Sequence, residues 1–290
     1  MKNYKSNIIT ALLLLWVAMV VAQNEFTIPL SDPNKRGKLN ASINSGTIIV
    51  KGTARKDILV KYSTDDESDK PSKKDNMVHV NVNINKNGNN DDEQHSKSKD
   101  GLRRISGSTV DLSASEDDNN VRIQSNSWNE EINLIIEIPS GMDVKLHTYN
   151  DGDLKISNVS GALDLNNFNG GILAENIKGS VIASTYNDDI KVTFDEVKDG
   201  VPMSFTTFNG DIDITYPATT KATMKFKTDQ GDIYTGFDMD VKSDGPLRKE
   251  DSKGGVYKVS VNEWKKGSIN GGGAEVTYKT YNGDIYVRKK

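Results

Sequence analysis

The feature that most constrains this chain is a short motif that recurs from residue 149 onward. In most copies an aromatic residue is followed by Asn-Gly or Asn-Asp and then by an aliphatic residue. The aliphatic positions of five copies, spaced 18, 18, 22 and 21 residues apart, are Leu154, Ile172, Ile190, Ile212 and Ile233. A sixth copy, Tyr281 to Ile285, follows 52 residues later. A short fixed period predicts a solenoid, in which each unit buries its apolar face only by stacking on neighbours.

A finer period of nine residues lies inside the motif. Gly152, Gly161, Gly170 and Gly179 are nine apart, and Asp188 takes the next place. A short alternating segment follows each, so nine residues make a turn plus a strand, and a coil of roughly 18–22 residues contains two strands. Asn-Gly and Asn-Asp pairs adopt positive-φ corners at low cost. We expect the aliphatic residues to point inward, the preceding residue to point outward, and each coil to stack on the last.

The rest of the chain carries strand patterns separated by polar stretches. The segment from Ile132 to Ile138 reads as a strand ended by Pro139-Ser140-Gly141, and segments near Gly46 and Gly107 resemble degenerate early coils. Polar stretches predicted to be disordered loops lie near residues 63–76, 85–100 and 242–253. No segment after residue 22 shows a sustained helical period. The sequence therefore predicts an all-β, single-domain β-solenoid over residues 23–290.

The first 22 residues have the pattern of a signal peptide. Lys2 and Lys5 precede an apolar run from Ile8 to Ala22, and small residues stand before Gln23. The alternative is an uncleaved membrane anchor, but about 15 apolar residues are short of the roughly 20 that span a bilayer. We expect cleavage, no membrane span afterwards, and a protein that is periplasmic, surface-bound or secreted. Cleavage removes two lysines and no acid, which changes the net charge from -4 to -6.

The amino-acid composition limits the partners that the chain can bind and the covalent links that can stabilise it. The chain has no cysteine, so neither a disulfide nor a lipid-modified cysteine is available, although exported proteins often use them. The acidic balance argues against a nucleic-acid partner, which requires clustered lysine and arginine.

A family resemblance adds to this interpretation. The stretch Ile132 to Gly161, followed by recurring Asn-Gly-Asp-Ile turns, resembles the adhesin-like families of the domain-of-unknown-function type, including the auto-transporter adhesin head (GIN-like) group of Bacteroidetes envelopes. The resemblance covers most of residues 40–290. It implies a β-helix-like fold and an adhesin-like role without an established ligand, and it supplies no catalytic residues.

Three features of the repeat are candidates for binding. The nine-residue period with Gly-Asp pairs is similar to calcium-binding β-rolls, but glycines such as Gly161 and Gly179 have no neighbouring acid. The outward acids, which could form a row that binds cations or a basic partner, are Asp153, Asp189, Asp211, Asp232 and Asp284. The aromatic residues, which could be an exposed stripe for sugars or peptides but more often pack beside the core, are Tyr149, Phe168, Tyr186, Phe208 and Tyr281.

Catalytic signatures are absent from the sequence. The histidines are His79, His95 and His147, with no metal-ligand spacing, and no nucleophile elbow or phosphate loop occurs. A polysaccharide lyase or glycosidase on a β-helix is the enzymatic alternative, although residues 149–235 contain no arginine. We therefore expect no catalytic, cofactor or metal-binding residues. The expected function is an exported, non-catalytic cell-envelope module for adhesion, binding or structure. Its partner would be a surface glycan or protein, and a calcium-binding β-roll is the second alternative.

Overall fold

The computed structural model describes residues 24–64, 80–83, 111–128, 130–243, 247–253, 256–262 and 264–290. Every regular element in these residues is a β-strand. In chain order the strands are β1 (Glu25–Pro29), β2 (Lys38–Ser42), β3 (Ile48–Thr53), β4 (Asp57–Thr64), β5 (Val80–Asn83), β6 (Leu112–Asp117), β7 (Asn120–Gln124), β8 (Ile132–Pro139), β9 (Asp143–Thr148), β10 (Leu154–Ser157), β11 (Leu163–Asn167), β12 (Ile172–Ile177), β13 (Val181–Ser184), β14 (Ile190–Phe194), β15 (Met203–Thr206), β16 (Ile212–Tyr216), β17 (Ala222–Lys227), β18 (Ile233–Thr235), β19 (Lys242–Ser243), β20 (Leu247–Lys253), β21 (Val256–Asn262), β22 (Lys265–Ile269), β23 (Glu275–Lys279) and β24 (Ile285–Lys289).

The strands form two long sheets, and the chain alternates between them in the repeat region. The first sheet has ten strands in the order β1-β4-β8-β3-β10-β12-β14-β16-β24-β18, and the second has twelve in the order β19-β22-β17-β23-β15-β13-β11-β9-β2-β7-β6-β5. Strands β20 and β21 form a separate antiparallel hairpin. Neighbouring repeat strands are parallel, as in the pairs Leu154↔Ile172 and Ile172↔Ile190. The fold is therefore the predicted all-β solenoid, with two strands per coil.

The core lies between the two sheets. Alternate residues of the repeat strands from β9 to β17 point inward, and Leu154, Ile172, Ile190 and Ile212 are buried as predicted. Ile233 is an exception, because it is only partly buried. Its strand, β18, is the edge of the first sheet, so no further coil covers it. The prediction that Ile233 is buried was wrong for this reason.

The order of the last coils also differs from the prediction that each coil stacks on the one before it in sequence. Ile285 pairs with Ile212 on one side and with Ile233 on the other. In the second sheet, β23 likewise lies between β15 and β17. The coil formed by β23 and β24 is thus inserted between two coils that are consecutive in sequence.

Antiparallel strands lie at one end of the first sheet and near both ends of the second, whereas β18 at the other end of the first sheet is parallel to β24. Strands β1 and β4 cover the start of the first sheet, while β6 pairs antiparallel with β7 near the start of the second. At the other end β22 pairs antiparallel with β17. Such changes of direction interrupt the parallel edge that another chain could extend.

Two of the predicted loops are partly strand. Ser63 and Thr64 belong to β4, and the segment predicted as a loop at 242–253 contains β19 and β20. The polar segment β20 pairs antiparallel with β21, so cross-strand hydrogen bonds form a hairpin there although the sequence lacks an apolar alternation. The segment 85–100, most of the early coil predicted near Gly107 and the signal segment 1–22 lie outside the described residues. The early coil near Gly46 is confirmed, because β3 pairs in parallel with β10.

Candidate binding surface at the aromatic corner

Each coil turns from the second sheet to the first through the same corner. The six segments that form it are called the aromatic corner below and comprise residues 149–153, 168–171, 186–189, 208–211, 228–232 and 281–284. Asn169 bridges to Asn187, Asn187 to Asn209 and Asn209 to Asn282, so the turns are aligned coil upon coil. Within the stack the order is therefore 149, 168, 186, 208, 281 and 228. The last two segments are exchanged relative to the sequence.

A buried residue at the end of the second-sheet strand anchors each turn. The hydroxyl of Thr185 donates to the carbonyl of Gly170 at 2.9 Å, and the hydroxyl of Thr280 donates to that of Gly210 at 3.0 Å. Asn167 takes the same place in its coil and donates from its amide to Gly152 O at 2.9 Å. The sequence signal for this row is the threonine that stands directly before the aromatic residue in most copies of the motif.

Close contact between coils explains the glycines of the corner. A Cβ on Gly170 would lie 2.1 Å from the carbonyl oxygen of Gly152, and one on Gly152 would lie 2.1 Å from that of Gly46. Gly46, Gly210 and Gly283 also have positive φ. Positive φ therefore explains some of the corners, whereas Gly152 and Gly170 are required by the approach of the neighbouring backbone.

The corner asparagines form a continuous ladder of side-chain hydrogen bonds. The amide of Asn187 donates to Asn169 Oδ1 at 2.8 Å, that of Asn209 to Asn187 at 2.9 Å and that of Asn282 to Asn209 at 2.7 Å. Asn169 donates to Asn150 at 3.1 Å. These bonds fix the register between coils and hold the residue next to each asparagine in the same orientation.

That neighbouring residue is the aromatic one, and the five rings form a stacked ladder. Ring centroids are 4.7 Å apart for Tyr149 and Phe168, 5.1 Å for Phe168 and Tyr186, 4.8 Å for Tyr186 and Phe208, and 4.9 Å for Phe208 and Tyr281. Adjacent ring planes differ by at most 10°. The stripe is about 20 Å long, since it spans four inter-strand steps.

The ladder lies on the surface. Tyr149, Tyr186, Phe208 and Tyr281 keep 38–43% of their area exposed, and Phe168 is partly buried. Trp128, 62% exposed, packs edge-on against Tyr149 at 5.6 Å and extends the stripe at one end. The expectation that the rings pack on one another beside the core is thus correct. The alternative expectation, an exposed aromatic stripe, also holds for the same rings.

The outward acids form a row beside the rings, which Gly171 interrupts. Asp211 N donates to Asp189 Oδ1 at 2.7 Å, Asp284 N to Asp211 Oδ1 at 2.7 Å and Asp232 N to Asp284 Oδ1 at 2.8 Å. Gly171 N donates to Asp153 Oδ1 at 3.1 Å. Every carboxylate of the row except Asp232, which lies at the end of the stack, therefore ties its coil to the backbone of the next one. Turn chemistry alone did not predict this structural role.

Two tyrosines on the outer face of the first sheet adjoin the end of this row. The hydroxyl of Tyr286 donates to Asp284 Oδ2 at 2.9 Å, and this bond, with burial and nearby acids, raises the pKa of Tyr286 to about 12. The pKa of Tyr234 is raised chiefly by the charges of Asp232 and Asp284. The two rings stack at 5.1 Å. The acid row thus acts electrostatically on groups outside the corner.

The described residues provide no cluster of three or more His, Cys, Asp or Glu side chains that could hold a metal ion. His147 lies exposed on β9, and the other two histidines fall outside the described ranges. The part of the chain that the structure covers also has no helix of the length and hydrophobicity needed to cross a lipid bilayer.

Two parallel-rich sheets, aligned turns and a repeated surface row define this chain as a β-solenoid repeat protein. The sequence model of the Toastrack DUF4097 family matches residues 140–288, just over half of the chain. The chain therefore belongs to the Toastrack DUF4097 family. A proposed cell adhesion protein from Clostridium sporogenes is similar in structure, with 14% identity and a TM-score of 0.45 over 92% of this chain and 100% of that one. No curated protein sequence matches the chain significantly.

Proposed function

We propose that this chain is an exported, non-catalytic binding module of the bacterial cell envelope, with an adhesin-like role, and that the aromatic corner is its binding surface. One observation carries the proposal: five stacked rings form a continuous, half-exposed stripe along the solenoid. Folding alone favours burial of such apolar area, and large exposed apolar patches commonly mark interaction sites. The membership of the Toastrack family is compatible with this role.

Export and the group of organisms belong to the same proposal. The basic residues and apolar run before Gln23 support export, and the resemblance to GIN-like adhesin heads supports an origin in Bacteroidetes. N-terminal sequencing of the protein from the envelope fraction should return a start at or near Gln23. A start at Met1 would instead support an uncleaved anchor.

The binding surface can be tested with labelled mature chain and washed envelopes of the producing bacterium. Tyr186→Ser with Phe208→Ser should reduce adsorption several-fold, because two central rings of the stripe are lost. Ile182→Ser is the matched control, since Ile182 is 52% exposed on the outer face of the second sheet, away from the corner. Equal adsorption of both variants and the wild type would reject the aromatic corner as the binding surface.

Two measurements test the alternative functions, a polysaccharide-cleaving enzyme and a calcium-binding β-roll. Incubation with envelope polysaccharides should release no new reducing ends and no unsaturated products, whereas a lyase or glycosidase would release them. Calcium should raise the melting temperature of this protein little. A calcium-binding roll, in contrast, would gain stability from the bound ions by mass action. Glycan turnover abolished by substitution of one acid or lysine would overturn the non-catalytic proposal.

A further inference from the structure

All charged residues of the aromatic corner are acidic. Its six segments contain eight acids and no lysine, arginine or histidine. The acids are Asp151, Asp153, Asp188, Asp189, Asp211, Asp229, Asp232 and Asp284. Among the described residues only Asp153 forms an ion pair, with Lys155 at 3.1 Å. The stripe of rings is therefore bordered by seven carboxylates that no cation of the described part neutralises.

The acids are held in place by the fold and not by cations. Asp189 and Asp211 each accept a backbone N–H of the next coil through Oδ1. Like charges one strand spacing apart, about 5 Å, repel by roughly 1 kcal/mol even at the dielectric constant of water. The corner therefore holds a row of repelling charges, and a bound polycation would relieve that repulsion along its whole length.

The rings favour the same kind of ligand. Because the ring faces stack on one another, the stripe exposes mainly apolar ring edges. The aliphatic stems of lysine and arginine can pack along these edges while their charged ends reach the acids. We propose that the aromatic corner binds an extended polypeptide segment rich in lysine and arginine. This inference rests on the proposed function and adds the chemistry of the partner. Side chains on one side of an extended segment repeat about every 7 Å, so the roughly 20 Å stripe accommodates about three basic side chains.

Other ligands match the corner less well. A divalent cation needs several oxygens converging on one point, whereas these carboxylates are spread along the stack and form no such cluster in the described residues. A neutral glycan would contact the rings and donate hydroxyl hydrogen bonds to the acids, but it would leave their mutual repulsion unrelieved. An acidic polymer would be repelled by them. Charge and aromaticity together select a basic chain.

The test uses the mature chain and a fluorescent peptide of alternating arginine and glycine, with glutamate-glycine and serine-glycine peptides of equal length as controls. Anisotropy should show binding of the arginine peptide alone, weakened at least about tenfold between 50 and 300 mM salt, because screening shortens the range of charge attraction. Asp189→Asn with Asp211→Asn should weaken binding about tenfold while keeping an oxygen for each backbone N–H. Tyr186→Ser with Phe208→Ser should weaken it several-fold by removing the apolar ring edges on which the stems of the basic side chains pack.

The matched control is Glu175→Gln with Glu196→Gln, which makes the same change in net charge at exposed sites outside the corner. Its affinity should stay within about twofold of the wild type, since distant surface charges are screened. Equal weakening by both pairs would show attraction to net charge only and would overturn the proposal, as would absence of binding by the wild type. If the rings are required for envelope adsorption but the arginine peptide does not bind, the partner chemistry fails while the proposed function stands.

Discussion

The hydroxyl groups of Tyr216 and Tyr278 lie 2.6 Å apart inside the core, where each is the hydrogen-bond partner of the other. Both residues are fully buried, and they come from opposite sheets, β16 and β23. Phe194 stacks on Tyr216 at 5.1 Å, and Phe226 stacks on Tyr278 at 5.0 Å. The pair is a polar link between the sheets, enclosed by aromatic rings, and its Tyr278 belongs to the inserted coil.

Removal of both hydroxyl groups of this pair should cost less than the sum of the two single removals. Tyr216→Phe leaves the Tyr278 hydroxyl buried without its partner, so we expect a loss of about 1–3 kcal/mol in the free energy of unfolding. Tyr216→Phe with Tyr278→Phe should lose less than twice that amount, because no orphaned polar group remains. Urea unfolding of the two single variants and the double variant measures the difference. Additive losses would contradict a coupled pair.

The same pair predicts a stability that falls at alkaline pH. Burial raises the pKa of both tyrosines above the ordinary value of 10, so between pH 10 and the folded pKa the folded state binds more protons than the unfolded state. Stability is then complete below pH 10 and is lost progressively above it. Melting temperatures at pH 9 and 11 should differ more for the wild type than for the double phenylalanine variant. An identical drop in both would assign the effect to other groups.

Gly170 should not tolerate a side chain. A Cβ there would lie 2.1 Å from the carbonyl oxygen of Gly152, so Gly170→Ala should force two coils apart and cost at least about 2 kcal/mol. Gly141→Ala is the control, since a Cβ at that position meets no atom within 4 Å. Thermal or urea unfolding of both variants tests the contrast. A small effect at Gly170 would mean that the corner backbone can move.

Asp188 occupies a place that glycine holds in most other coils, with φ of +104°. A non-glycine residue in such a conformation costs about 1–3 kcal/mol, so Asp188→Gly should stabilise the protein by about 1 kcal/mol. The gain is reduced because Asp188 Oδ1 accepts the N–H of Asp189 at 2.7 Å. Asp188→Ala, which keeps the strain and loses the carboxylate, should be less stable than the wild type. If both variants were destabilised, the hydrogen bond would outweigh the strain.

Substitution of Ile190 tests which side chains of the strands point into the core. Ile190→Asp places a charge in the buried row between Ile172 and Ile212, and we expect a loss of about 3–5 kcal/mol. Ile182→Asp makes the same change at a residue that is 52% exposed and should cost under about 1 kcal/mol. Equal melting temperatures for the Ile190 variant and the wild type would show that the inward face is wrongly assigned.

Sequence alone predicted which residues form the site but not how far their side chains are exposed or what they bond to. The repeat of aromatic residues, asparagines and acids was plain, and so was the gap at Gly171. The sequence could not show that the rings remain 38–43% exposed while stacking, because a ring at the end of a strand can turn either way. Nor did turn chemistry show that the acids accept backbone N–H groups, since those donors belong to the next coil.

What the sequence by itself determined is the coil: the nine-residue spacing of glycines, the alternation that buries Ile172 and Ile190, and the turn residues between strands. These are local patterns, and local geometry is sufficient to select them. The order of the coils was decided only by the tertiary structure. The motif at Tyr281 has the same residue types as the others, so it fits beside any of them. Its place between the coils of Ile212 and Ile233 depends on contacts between residues far apart in sequence, such as the hydrogen bond from Asn282 to Asn209, 73 positions away.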